Sequence, residues 1–249
     1  MRRIVLFFLN NIFVNRILIW TGNDNLIKKF KANWTQTEIN SNKSLQENMG
    51  FSHQKEIQEA VDKVHGAILD TYKTLLPGGS VLDIGCGAGL YLRNFPVGTV
   101  LYGTDLSKSF LTAAKAEVPS ANLIQGDYLL LRLNKKFRFI FSVSVMQYIP
   151  PSKIKSFFRK IADELEPGGL ALIQYPHALS YRHTLYPDLS YIHYSPQKIA
   201  SVATEYMEIR THFHSWDNRP MNGTFDSERY GTEGEKSFRN GTFILLRKN

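Results

Sequence analysis

The run Val81-Leu82-Asp83-Ile84-Gly85-Cys86-Gly87-Ala88-Gly89 constrains this chain more than any other stretch. Four residues of strand character lead directly into three glycines at alternate positions. Glycine lets a backbone turn sharply and lets a ligand approach without a Cβ in the way. Such crevices open at the carboxyl ends of parallel strands. A dinucleotide fingerprint, G-x-G-x-x-G, would place its third small residue at position 90, which here is Leu90. Asp83 also stands two residues before the first glycine. A pyrophosphate would be repelled by that carboxylate, whereas an amino-acid ammonium group would be attracted. The charge logic favours a zwitterionic, sulfonium-bearing ligand over a dinucleotide.

The rest of the chain alternates strand and helix patterns. Ile57, Val61, Val64, Ile68 and Tyr72 form an apolar stripe at helical spacing, ended by Pro77-Gly78-Gly79. Strands are expected at 81–84, 100–104, 122–125, 137–145, 170–174, 206–214 and 242–246. Ser107 caps a helix running to Ala116, before Pro119. Ser152 is expected to cap a helix to about Leu165, with Pro167-Gly168-Gly169 as its breaker. Ser195-Pro196 opens another helix. This alternation predicts an α/β fold: a doubly wound, mainly parallel sheet with helices on both faces.

With the pattern in place, VLDIGCGAG resembles the first motif of class I S-adenosylmethionine-dependent methyltransferases of the small-molecule type. Further matches follow in order. Leu101-Tyr102-Gly103-Thr104-Asp105-Leu106-Ser107 resembles the second motif, Gln125-Gly126-Asp127-Tyr128 the third, Ser142 to Pro150 the strand-four motif, and Leu165-Glu166-Pro167-Gly168-Gly169 the turn before strand five. The resemblance spans about residues 52–247. It implies a Rossmann-like seven-stranded sheet of order 3-2-1-4-5-7-6, with residues 51–249 as the catalytic domain and 1–50 as an appended arm and linker. It implies S-adenosyl-L-methionine as cofactor, with Asp105 on the ribose hydroxyls and Asp127 at the adenine amino group. Asp83, Gly85, Cys86, Gly87, Gly89, Leu106, Tyr128 and Ser144 complete the expected cofactor site. Cys86 is expected to be inert, a small residue between glycines.

The acceptor is less constrained. After the fifth strand, Pro176 to Tyr194 is rich in aromatic and imidazole groups, which suits a lid over the acceptor. A hydroxyl acceptor benefits from a general base. His177, just beyond the strand end, is the candidate; His183, His193 and His53 stand behind it. An amine acceptor needs no strong base. The Asn/Asp-Pro-Pro-Tyr/Phe motif of amino-directed nucleic-acid methylases is absent after strand four, and the lone cysteine lies in the glycine loop rather than at a cytosine-C5 nucleophile position. Methyl transfer to oxygen or nitrogen of a small molecule is therefore expected, with a sugar, a lipid-linked glycan or a quinone-like lipid as acceptor classes. Two alternatives remain open: a non-catalytic cofactor-binding regulatory subunit, and a nucleic-acid methyltransferase, which would show steeply salt-dependent binding. No metal site is expected.

The net charge of +8 is unevenly spread: residues 1–43 hold seven basic and two acidic groups. The segment MRRIVLFFLNNIFVNRILIW is too short and too interrupted for a span, and lacks a small-residue cleavage site. Its mixture suits an amphipathic helix in a membrane surface, or a helix packed on the domain or on a second copy. One cysteine excludes an intrachain disulfide and fits a reducing cytoplasm. The expected location is cytoplasmic, at the inner membrane face if the arm binds lipid; the oligomeric state is left open.

Overall fold

The computed structural model describes residues 32, 35–36, 38–40, 55–76, 78–176, 184–186, 191–214 and 241–249. The expected arm (1–20), His53, His177 and His183 lie outside them, as does most of the expected lid. The elements run α1 (Lys55–Leu75), β1 (Ser80–Ile84), β2 (Val100–Asp105), α2 (Lys108–Glu117), β3 (Asn122–Gln125), β4 (Phe137–Ser142), α3 (Ile154–Glu164), β5 (Leu165–Pro176), β6 (Thr184–Tyr186), β7 (Tyr191–His193), α4 (Pro196–Ala203), β8 (Glu208–His214) and β9 (Gly241–Arg247).

Seven strands form one sheet of order β3-β2-β1-β4-β5-β9-β8, and β6-β7 is a separate hairpin. Strands β1 to β5 pair in parallel, and β9 runs antiparallel to both β5 and β8. With the hairpin set aside, the order is the one the resemblance implied. Period-two alternation divides the core. Leu82, Ile84, Ile140 and Ile173 face α3 and α4, where Phe157, Phe158, Ile161 and Ile199 are buried. Val81, Phe139, Phe141 and Leu172 face the other way, onto Ile68 and Tyr72 of α1 and Leu111 of α2. The central parallel strands β1 and β4, covered on both faces, are buried almost throughout.

Several boundaries differ from the sequence reading. Ser152 caps nothing: it sits in a 3-10 turn, Pro151–Lys153, and the helix starts at Ile154 with no side-chain cap. Two successive prolines fix that entry instead. Pro167-Gly168-Gly169 does not separate helix from strand. β5 begins at Leu165, directly after α3, and the ladder with β4 shifts register between Phe137↔Leu165 and Phe139↔Leu170. A Cβ on Gly169 would lie 2.9 Å from the Glu166 carbonyl oxygen, so the bulge needs glycine there. β4 stops at Ser142 rather than Val145, because Ser144 takes a left-handed conformation (φ 57°). Ser107 and Ser195 cap α2 and α4 as expected, accepting from the backbone N–H of Phe110 and Lys198.

Candidate cofactor site

The carboxyl ends of β1, β2 and β4 meet at one edge of the sheet, and the glycine loop leaves β1 there. The amides of Gly85 and Cys86 both donate to the Thr104 carbonyl, at 2.7 and 3.0 Å, which staples the loop to the end of β2. Gly85 has φ +74°, and a Cβ there would lie 2.1 Å from Val145 Cγ2. Only glycine allows the segment after β4 to lie so close over the loop. Gly89 packs on α2, where an added Cβ would sit 3.3 Å from Ala114, so its smallness serves helix packing.

Asp105, the last residue of β2, organises the centre. One carboxylate oxygen accepts from the Gly87 amide at 2.9 Å and the other from the Ser107 amide at 2.8 Å. Its main-chain oxygen accepts from Gly126, which fixes the exit of β3. Burial raises its pKa, opposed by the backbone hydrogen bonds from Ser107, Gly87 and Leu106. Asp105 therefore ties three loops together, and its carboxylate keeps lone pairs for a ligand's hydroxyls.

Asp83 lies deeper. It is 1 % exposed, and its Oδ2 has no hydrogen-bond partner among the described residues. Burial, and then the nearby Asp105, holds its pKa well above the carboxylate range. A buried acceptor without a donor is uncommon in folded proteins and asks for a cause. A cationic ammonium brought into the crevice would supply both the missing donor and the compensating charge.

The other expected residues divide. Cys86 turns its side chain inward, where a Cβ on Gly103 would lie 2.7 Å from its sulfur, so it can offer the crevice only backbone. Burial raises its thiol pKa, which leaves it unreactive. Leu106, half-buried, follows Asp105 at the rim, and its carbonyl accepts from Gln125 Nε2. Asp127 shapes its own turn, accepting from the Leu129 amide at 3.0 Å. The Tyr128 side chain turns towards α3. It packs edge-on against Phe157 of α3, and its hydroxyl donates to Glu164 at 2.8 Å. The Ser144 amide donates to Gln174 Oε1 at 3.0 Å, joining the β4 exit to β5.

Three features escaped the sequence reading. Gln147 carries a buried carboxamide oxygen with no partner among the described residues. Tyr175 of β5 and His212 of β8 meet at 2.6 Å (Oη to Nε2) across β9. His65 of α1 packs edge-on against Tyr91. None forms a spacing motif, so contact geometry alone finds them. Among the described residues no group of three or more His, Cys, Asp or Glu could hold a metal ion.

Comparison with known proteins agrees with this geometry. Residues 81–169 match a family model described as a methyltransferase domain. The chain is similar to a dTDP-3-amino-3,4,6-trideoxy-alpha-D-glucopyranose N,N-dimethyltransferase of Streptomyces venezuelae, 33 % identical over 112 residues, which are 43 % of this chain and 47 % of that one. It is also similar to a ubiquinone biosynthesis O-methyltransferase of Bradyrhizobium sp. (strain ORS 278), 30 % identical over 39 % of this chain and 40 % of the relative. The chain thus spans less than half the length of these relatives. Among solved structures, N-methyltransferase NodS from Bradyrhizobium japonicum WM9, in complex with S-adenosyl-L-homocysteine, superposes with TM-score 0.63 at 13 % identity, covering 90 % of this chain and 99 % of that one. A TehB-like SAM-dependent methyltransferase from Corynebacterium glutamicum gives 0.54 at 20 % identity, covering 79 % and 98 %. Identities this low speak to fold alone.

Proposed function

We propose that this chain, whose fold and residues 81–169 are those of class I S-adenosylmethionine-dependent methyltransferases, moves a methyl group from S-adenosyl-L-methionine to oxygen or nitrogen of a small molecule. The observation that carries the reading is Asp83, a buried carboxyl with an unpartnered oxygen two residues before the glycine loop. A ligand bearing an amino-acid ammonium meets that need, and a dinucleotide does not. Asp83 would hold the ammonium, the amides and small residues of 85–89 would admit the ligand's body, Asp105 would accept from its ribose hydroxyls, and Asp127 would face its adenine. When bound, the cofactor supplies a methyl carbon activated by its sulfonium. The protein's part is then to position the acceptor in line and to exclude water.

A sugar-linked acceptor fits this reading, since the Streptomyces relative's name describes an amino-sugar nucleotide. A lipid-linked acceptor rests on residues 1–20, whose cationic and apolar mixture suits a membrane surface. His177, one residue past β5, stays the candidate base for a hydroxyl acceptor.

Calorimetric titration with S-adenosyl-L-homocysteine tests the cofactor reading. The wild type should bind saturably and should ignore NAD. Asp105→Ala removes hydrogen bonds to a charged group and should weaken binding by about 1.5–3 kcal/mol, roughly 10- to 150-fold. Gly87→Val should abolish binding. A folded Asp105→Ala protein with wild-type affinity would mean that the ligand lies elsewhere.

A further inference from the structure

A second cleft, of about 580 Å³, lies between the segment after β3 and the outer side of α3. None of its lining residues belongs to the glycine loop, and Asp127 is the one it shares with the expected cofactor site. Leu129, Leu130 and Pro150 give it apolar surface, and Leu130 is 81 % exposed. From α3 and the residue before it come Lys153, Ser156 and Arg159, at three-residue spacing and so on one side of the helix. The cleft is held in shape by its own bonds. Lys160 Nζ donates to the Leu131 carbonyl at 2.7 Å and pairs with Glu164 at 2.5 Å, and the Tyr128 hydroxyl donates to the same carboxylate at 2.8 Å. These bonds tie the loop to the helix, and they leave Lys160 and Glu164 neutralising each other. Other cations nearby are also committed: Lys155 pairs with Glu205, and the Lys136 ammonium donates to the Asp163 carbonyl. The Lys153 ammonium, the Ser156 hydroxyl and the Arg159 guanidinium are different. None has a hydrogen-bond or ion-pair partner among the described residues, and all three line the cleft.

We propose that this cleft is a second ligand site, which takes a phosphate monoester carrying an apolar body. The phosphate lies on Lys153, Ser156 and Arg159, and the body on Leu129 and Leu130. A phosphate offers three strong acceptor oxygens, one for each free donor, and a guanidinium fork matches its geometry. A carboxylate offers only two. The cleft also holds two acids. Asp127 accepts from the Leu129 amide at 3.0 Å, and Asp163 stands one helical turn beyond Arg159, at the end of the stripe away from Lys153. Around them, residues 127–166 carry eight basic groups against four acidic, which draws anions to this side of the molecule. A volume of this size suits a small molecule. The site stands whether or not the chain transfers methyl groups. Its ligand chemistry is common to soluble phosphate esters and to the headgroup of a phosphatidic acid.

NMR titration of the full-length, isotope-labelled protein tests this with three probes: inorganic phosphate, phenyl phosphate, and dihexanoyl phosphatidic acid below its micelle concentration. Phenyl phosphate should saturate below about 10 mM and bind more tightly than inorganic phosphate, because it adds apolar contact. Lys153→Gln/Arg159→Gln should weaken it about tenfold, the scale of lost hydrogen bonds between charged groups. Arg132→Gln/Lys155→Gln removes the same charge from outside the cleft and should leave affinity unchanged. Leu130→Ser should bring phenyl phosphate down to the affinity of inorganic phosphate without changing the latter. Since these side chains are exposed, the variants should melt as wild type does. Saturating S-adenosyl-L-homocysteine should leave phenyl phosphate bound. Tighter binding of the phosphatidic acid assigns the ligand to a membrane and tighter binding of phenyl phosphate to the soluble pool; either upholds the site. No saturation by any probe overturns it, as does equal weakening by the two double variants, or displacement by S-adenosyl-L-homocysteine. Phenyl phosphate binding that ignores Leu130→Ser overturns the apolar body.

Discussion

Burial sets the chemistry of Asp83 before any ligand arrives. Its carboxyl is held well above the ordinary range, by burial first and by Asp105 second. Between the ordinary carboxylate pKa and the raised one, the folded chain holds a proton that the unfolded chain has released. The stability this contributes is complete below the ordinary value and is lost as pH rises through the raised value. Asp83→Asn removes the titration. Relative to that variant, the wild type should lose melting temperature as pH rises above about 4, measured without ligand. An ammonium ligand favours the ionised form, so cofactor binding should expel this proton. Titrations in buffers of different ionisation enthalpy would show the release in the wild type and lack this contribution in Asp83→Asn. Binding with no proton exchange in either protein would show that the carboxyl is already ionised. Asp83 was legible in the sequence because its spacing to the glycines is fixed along one strand. Gln147 was not, since only packing reveals a missing partner.

The elements carry a second set of consequences, beginning with how α3 holds the third-motif loop. Tyr128 donates to Glu164, Lys160 pairs with the same carboxylate at 2.5 Å, and the Lys160 ammonium lies 4.9 Å over the Tyr128 ring. Reading Gly126-Asp127-Tyr128 as a ligand motif was natural in a sequence, because nothing local says which way the tyrosine turns. Tyr128→Phe separates the two accounts. It should destabilise the fold by about 1–3 kcal/mol in urea unfolding, with cofactor affinity near wild type. Lost affinity at unchanged stability would give the Tyr128 hydroxyl a role in the cofactor site. β5 and β8 are joined across β9 by Tyr175 and His212, and burial lowers the His212 pKa to about 4. An unfolded histidine titrates near 6.5. The unfolded chain therefore binds more protons across that interval, and stability should be lost as pH falls from about 6.5 towards 4. In Tyr175→Phe/His212→Leu, which removes both polar partners, that part of the acid sensitivity should disappear from melting curves. Element boundaries were less legible than element identities. The bulge in β5 depends on pairing with β4, and the start of α3 on a tertiary entry path, neither of which is written in local propensity.

At the scale of the whole molecule, the order of the sheet was readable because five motifs fell in register on one alternating pattern, and each motif marks a strand end. What lies before residue 51 had no such marker, and residues 1–20 lie outside the described residues. The proposal for that arm rests on sequence chemistry. Arg2, Arg3 and Arg16 flank and interrupt an apolar run that ends in Trp20, and residues 1–43 carry a net +5. Among the described residues no helix is long and apolar enough to cross a membrane. If the arm folds as an amphipathic helix in a lipid surface, each large side chain buried contributes at about 25 cal/mol per Å² of apolar area. Each nearby Lys or Arg adds about 1 kcal/mol on an anionic leaflet. Several such groups together reach the range of stable peripheral binding. Full-length protein should therefore float with anionic liposomes, more weakly at high salt, and weakly or not at all with neutral ones. Deleting residues 1–20 should abolish flotation while S-adenosyl-L-homocysteine affinity holds, because the cofactor crevice draws its residues from 83 onward. Full-length protein that stays unbound, together with a truncation that aggregates or changes its oligomeric state, would make the arm a packing element, and the argument for a lipid-linked acceptor would go with it.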